Sequence, residues 1–108
     1  KEYLDGDQDL MPVGLFELID AFQRILQKVS KEHTVDLAAE RVSVKDRMNA
    51  IIAVLEEKGS ITFLEMFPQE PQRMDLIVSF LALLELMKMN LVRVVQSSQS
   101  GTIRLFYQ

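Results

Sequence analysis

The sequence predicts a mainly α fold with a small β-hairpin, an α+β architecture, and three observations carry that prediction. Apolar residues recur at helical spacing in three separate stretches, the period drops to two after Asn90, and Ser, Gly and Pro stand where caps and turns need them. The size agrees. A chain of 108 residues, 48% of them apolar, suits one domain with a modest core.

Residues 1–11 read as an acidic linker. Asp5, Asp7 and Asp9 alternate as in a calcium loop, but Leu10 stands where that loop needs Gly and Phe16 where it needs Glu, so the acids are assigned to a solvated stretch. Pro12 then suits the first turn of a helix, where its missing N–H costs nothing. An amphipathic helix over residues 12–31 is predicted, with a stripe of Leu15, Leu18, Ile19, Phe22, Ile25, Leu26 and Val29, and with Glu17, Asp20, Arg24 and Lys28 off or beside it. Residues 32–42 show no stripe and are assigned as a connector. His33, the one histidine, has no second ligand or nucleophile at useful spacing and is read as a surface or capping residue.

Ser43 followed three residues later by Asp46 is a capping-box pattern, so a helix should begin at Val44 and bury Val44, Met48, Ile51, Ile52 and Leu55 before Gly59 ends it. Ser60, Ile61 and Thr62 can form one short strand, and residues 63–67 one or two helical turns stopped before Pro68. Pro71 then opens a helix over residues 71–89 that is apolar on more of its circumference than one small core can use. At about 100° per residue, Leu76, Ile77, Phe80, Leu83, Leu84 and Met87 form the expected core stripe. Met74, Val78, Leu81, Ala82 and Met89 form a second, interrupted by Glu85. Two readings stay open for it: it packs beneath the helix of residues 12–31, or it meets a partner. The Met residues are read as core filler, although Met74 and Met89 would suit an adaptable interface. Residues 91–96 and 102–107 are rich in Val, Ile, Leu and aromatics and flank the polar run from Ser97 to Gly101, which predicts a hairpin with a flexible tip. From Val44 onward the order is helix, short strand, short helix, long helix and hairpin. That is the order of a winged-helix domain, here over residues 43–108 and preceded by the amphipathic helix.

Charge and composition narrow the function classes. The first forty residues carry four bases against nine acids and the remainder eight bases against seven, within a net charge of −4. Neither part has the basic excess that drives counterion release from a nucleic-acid backbone. With no Cys and one His there is neither a disulfide framework nor a structural zinc site. No apolar run has the length and flanks of a signal peptide or membrane span, and a chain starting at Lys1 reads as a soluble piece of something longer. No phosphate-binding Gly-rich loop, nucleophile elbow or triad spacing is present, Glu56 and Glu57 sit at a helix end, and neither catalysis nor a cofactor is expected.

Five segments carry a family resemblance: residues 43–46, the run from Ile61 to Phe67, the run Phe80, Leu81, Ala82, Leu83, Leu84, Glu85, Leu86, then Val94, Val95, Gln96, and Ile103. Together they resemble the C-terminal domain of bacterial segregation and condensation protein A (ScpA), the kleisin of the Smc condensin complex, over about residues 12–108. The run from Phe80 to Leu86 followed by the Val-x-Gln strand is the most specific part, and the tip at residues 97–101 departs from the aromatic-Gly-acid turn of that family. The resemblance implies a non-enzymatic subunit, cytoplasmic and associated with the nucleoid, whose C-terminal winged helix docks on one Smc ATPase head while an N-terminal domain holds the neck of another. It also implies that the ScpB dimer binds the adjacent central region and that DNA is met only indirectly, through the complex, without membrane or small-molecule substrate.

The residues themselves agree with protein docking. A DNA-reading third helix needs exposed Arg, Lys, Asn or Gln at its N-terminal end, whereas this one offers Gln72, Arg73 and Asp75 and then almost nothing polar. The candidate partner-binding surface is Met74, Val78 and Leu81 on the long helix with Ile103, Leu105 and Tyr107 on the last strand. The alternatives are a winged-helix DNA-binding regulator using Arg41, Lys45, Arg47, Arg93 and Arg104, and a homodimer built on the exposed stripes.

Overall fold

The structure, a computed structural model, describes residues 10–29 and 43–108. Three helices, α1 (Leu15–Gln27), α2 (Val44–Lys58) and α3 (Arg73–Lys88), pack on a sheet of four short strands: β1 (Leu10–Pro12), β2 (Ser60–Thr62), β3 (Val92–Ser97) and β4 (Ile103–Tyr107). The sheet is antiparallel in the order β1-β3-β4-β2. A 3-10 turn, Leu64–Met66, joins β2 to α3. From Val44 onward this is the α+β winged-helix order the sequence predicts.

The local signals act as the chemistry requires. The Ser43 hydroxyl accepts the Asp46 N–H at 3.0 Å, so α2 starts at Val44, and Gly59 ends it with φ of 85°, a conformation a Cβ would oppose. Ile51 and Leu55 are buried, while Val44, Met48 and Ile52 pack half-buried against the core. At α3 the start slips two residues. Asp75 accepts the Gln72 N–H at 2.9 Å and makes Gln72 the cap, which leaves Pro71 outside the helix. Asn90, at φ 62°, closes the other end: the N–H groups of Asn90 and Leu91 donate to the carbonyls of Met87 and Leu86, a Schellman arrangement that turns the chain into β3.

Two expectations fail near the N-terminus. Pro12 does not open a helix. It ends β1, whose Leu10, Met11 and Pro12 lie opposite Ser97, Gln96 and Val95 of β3, and α1 begins only at Leu15. An edge strand tolerates Pro as well as a helical first turn does, because in both places the N–H has no obligatory partner. The strand also claims Leu10 and Met11, which the sequence assigns to the acidic linker. The connector of residues 32–42, with His33, and the acids Asp5, Asp7 and Asp9 lie outside the described residues.

The core gathers around an aromatic cluster. Phe22 of α1 stacks on Phe80 of α3 at 4.2 Å between ring centroids and lies 6.0 Å from Phe67, and Phe63 meets Phe67 edge-on at 5.2 Å. Such pairs contribute beyond their buried area. The hairpin tip, expected from the sequence to be flexible, carries a set of local hydrogen bonds among its own polar groups. The Ser97 hydroxyl accepts the N–H of Gln99 and of Ser100, the Gly101 N–H donates to the Ser97 carbonyl at 2.8 Å, and Gln96 Nε2 donates to the Gly101 carbonyl.

Between β2 and the 3-10 turn, Glu65 and Thr62 cap one another. The Thr62 N–H donates to Glu65 Oε1 at 2.8 Å and the Glu65 N–H to the Thr62 hydroxyl at 3.1 Å. The Thr62 backbone N–H, with help from its hydroxyl, Lys58 and Arg104, holds the Glu65 carboxyl below the ordinary glutamate range. A carboxylate depressed in the folded state stabilises fully above its unfolded pKa, and that contribution is lost as pH falls through the folded value. Glu65→Gln is therefore expected to lessen the acid sensitivity of the urea midpoint below the ordinary glutamate pKa. Parallel profiles for the two proteins would overturn this.

Candidate functional site

The long helix α3 is covered unevenly. On one side Phe80 meets α1 through the Phe22 stack; on another, Ser79 meets α2 through Arg47. Leu76, Ala82, Leu83 and Leu86 are fully enclosed. What remains outward is the second stripe. Met74 is 58% exposed and Leu81 45%, Val78 between them is half-buried, and Glu85 continues the line as an exposed acid. At about 100° per residue Met74 and Leu81 lie only 20° apart around the axis and about 140–160° from Leu76, so they form one ridge on the far side of the helix. The helix of residues 12–31 was one possible cover for this ridge, but α1 instead takes the Phe80 side.

One member of the predicted stripes moves into the core, and one residue outside them joins it. Ala82 is a core residue, because α2 approaches on that side. Leu86, which belonged to neither stripe, is fully buried near the helix end where the chain turns into β3.

The strand half of the predicted surface divides. Residues directly opposite in an antiparallel pair share a face. Leu105 of β4 lies opposite Val94 of β3 and Ile61 of β2, and the three are 0%, 6% and 3% exposed. Leu105 is thus the centre of a buried row beneath the helices and has no surface to offer a partner, which corrects its placement at the docking face. Ile103 is half-buried and packs against the same core, while Tyr107, at the strand end, stays partly exposed. The strand face that looks away from the helices carries Arg104 and Phe106.

The basic residues of the nucleic-acid reading are not gathered. Arg47 is half-buried and spends two nitrogens inside the fold, Nε on the Ser79 hydroxyl at 3.2 Å and Nη2 on the Met66 carbonyl at 3.0 Å. Arg104 donates to the Ser60 hydroxyl, Arg93 lies over the Phe106 ring at 5.4 Å, and Lys45 is exposed on α2. Arg41 lies outside the described residues. No group of three His, Cys, Asp or Glu side chains converges for a metal among the described residues, and no described helix is long and apolar enough to cross a membrane.

Sequence reasoning missed five further exposed apolar positions, Met11, Leu15, Phe16, Val54 and Leu64, of which Leu15 belongs to the predicted α1 stripe. Phe16 is 81% exposed and Leu64 66%. For Phe16 the signal was present, since it lies about 160° from Leu18 on the α1 wheel, off the stripe. Leu64 sits in a single turn, where no periodicity can orient it. On the side of Leu64 an open cleft of about 650 Å³ runs between the ends of α1 and α2, lined by Ile25, Val29, Val54, Leu64, Pro68 and Pro71 among others.

Comparison with known proteins gives a consistent result. The family model for segregation and condensation protein ScpA matches residues 8–107. The chain is 36% identical over 106 residues to segregation and condensation protein A of Bacillus subtilis, covering 95% of this chain and 41% of that protein. It is 35% identical over 94 residues to that of Brevibacillus brevis, covering 86% and 37%, and 30% identical over 98 residues to that of Myxococcus xanthus, covering 89% and 34%. The chain therefore spans roughly two fifths or less of the length of these relatives. With a model match over nearly all of its residues and relatives above 30% identity, the chain belongs to the segregation and condensation protein A family.

Proposed function

We propose that this domain is the C-terminal winged helix of a kleisin subunit, that it docks on the ATPase head of an Smc protein, and that it thereby helps close a condensin ring for chromosome condensation and segregation. The observation that carries the reading is the apolar ridge of Met74, Val78 and Leu81. A family member places these side chains outward on the helix that, in a DNA reader, would carry basic and amide groups. Tyr107, exposed at the end of β4, and the half-buried Ile103 are the remaining candidate contacts, apart from the ridge. In the same reading the ScpB dimer is held by the adjacent central region, the complex works in the cytoplasm at the nucleoid, and any ATP hydrolysis belongs to the head. The domain acts through buried apolar contact, with no reaction of its own.

A titration of the domain against the isolated Smc head, run beside a titration against duplex DNA at about 100 mM salt, separates this reading from a nucleic-acid-binding winged helix. Head binding at micromolar affinity or better, with negligible DNA binding, is expected. Affinity for DNA that falls steeply with salt, together with none for the head, would overturn it.

A further inference from the structure

A helix with apolar stripes on two nearly opposite sides raises a question of orientation. α3 carries one stripe through Leu76, Phe80 and Leu83 and another through Met74, Val78 and Leu81, on nearly opposite sides. Hydrophobic burial is non-directional, so it discriminates weakly between turning one stripe inward and turning the other. A polar contact discriminates strongly, because a misplaced polar group loses its partner inside the protein.

Glu85 on the second stripe opposes burying that side near the helix end, and within the core one polar contact exists. Ser79 is the buried polar residue of the core among the described residues, at 0% exposed. Its hydroxyl accepts from Arg47 Nε at 3.2 Å, and the same guanidinium donates to the Met66 carbonyl at 3.0 Å, so one side chain of α2 ties together α3 and the 3-10 turn that precedes it. Rotating α3 to bury the second stripe would carry Ser79 away from Arg47 and leave a half-buried cation short of an acceptor. We infer that the Arg47–Ser79 hydrogen bond is the key that sets the rotation of α3 and so decides that Met74, Val78 and Leu81 face outward. Arg47 and Ser79 are then positioning residues for the docking ridge and need not touch a partner. Single buried polar groups fix register in coiled coils in the same way, at a cost in stability. The use of the ridge in docking rests on the function proposed above, whereas the key itself does not.

The chain contains no cysteine, so single cysteines report the rotation directly. Leu81→Cys places a thiol on the outward ridge and Leu84→Cys places one on the half-buried side. The ratio of their labelling rates by a thiol reagent is measured alone and with Arg47→Met plus Ser79→Ala, a pair that removes both donor and acceptor and strands neither. The 81-to-84 ratio is expected to fall by about fivefold or more in a folded double variant, because exposure along α3 is no longer confined to one face. A ratio unchanged within about twofold, with cooperative unfolding retained, would overturn the inference. Where the double variant loses its cooperative transition, Ser79→Ala alone decides by the same two outcomes. No partner enters the measurement, so its failure leaves docking on the head standing, and failure of head binding leaves the key standing.

Discussion

Truncation of Leu105 to Ala is expected to cost about 2–5 kcal/mol of folding stability, the range for deleting a fully buried leucine whose surroundings relax only in part. The side chain sits at the centre of the Ile61, Leu105, Val94 row and has helices above it, so its removal opens a cavity that neither neighbouring strand can fill without leaving its register. For a domain whose whole stability is on the order of 5–15 kcal/mol, that loss is a large share. Urea unfolding followed by circular dichroism should show a lowered midpoint with an unchanged slope. A cost below about 1 kcal/mol would mean that Leu105 is not enclosed as described. The expectation separates core from interface: any loss of partner binding on changing Leu105 would follow from loss of the fold.

That distinction was within reach of the sequence. Alternation in β4 assigns Ile103, Leu105 and Tyr107 to one face and Arg104 and Phe106 to the other; the first face holds the fully buried Leu105, while Arg104 and Phe106 are half-buried. The identity of the two sets was legible, and physical reasoning could also have chosen between them, since a small sheet buries its more apolar side. β1 was not legible in the same way. Pro12 fits a helical first turn and an edge strand equally, and what decides between them is pairing with Val95, more than eighty residues along the chain, for which no local pattern exists. α2 and α3 stand at the other extreme. The Ser43 cap, Gly59 and the left-handed Asn90 are local chemistry, so their existence and their ends were readable to within about two residues. The outward apolar ridge of α3 was readable as a stripe. The partner to Ser79 was not, because Arg47 lies 32 residues away and nothing in either neighbourhood announces the contact.

Leu81→Arg is expected to leave the domain folded and to weaken binding to the Smc head by about a hundredfold or more. The two halves of that expectation have separate causes. Leu81 is 45% exposed and Arg is a good helix former, so the substitution opens no cavity and folding stability should change by less than about 0.5 kcal/mol. Position 81 lies between Met74 and Val78 on one side and Glu85 on the other, and docking through an apolar ridge would strip water from a guanidinium placed there. A hundredfold loss corresponds to about 2.7 kcal/mol, within the range of an anchor residue at the centre of an interface. Titration of the folded variant against the isolated head, beside wild type, checks both halves. Met74→Glu should act in the same direction if the ridge works as one surface. Retained affinity in folded Leu81→Arg would remove α3 from the interface and move the search for the docking surface to the exposed residues at Tyr107 and Phe16.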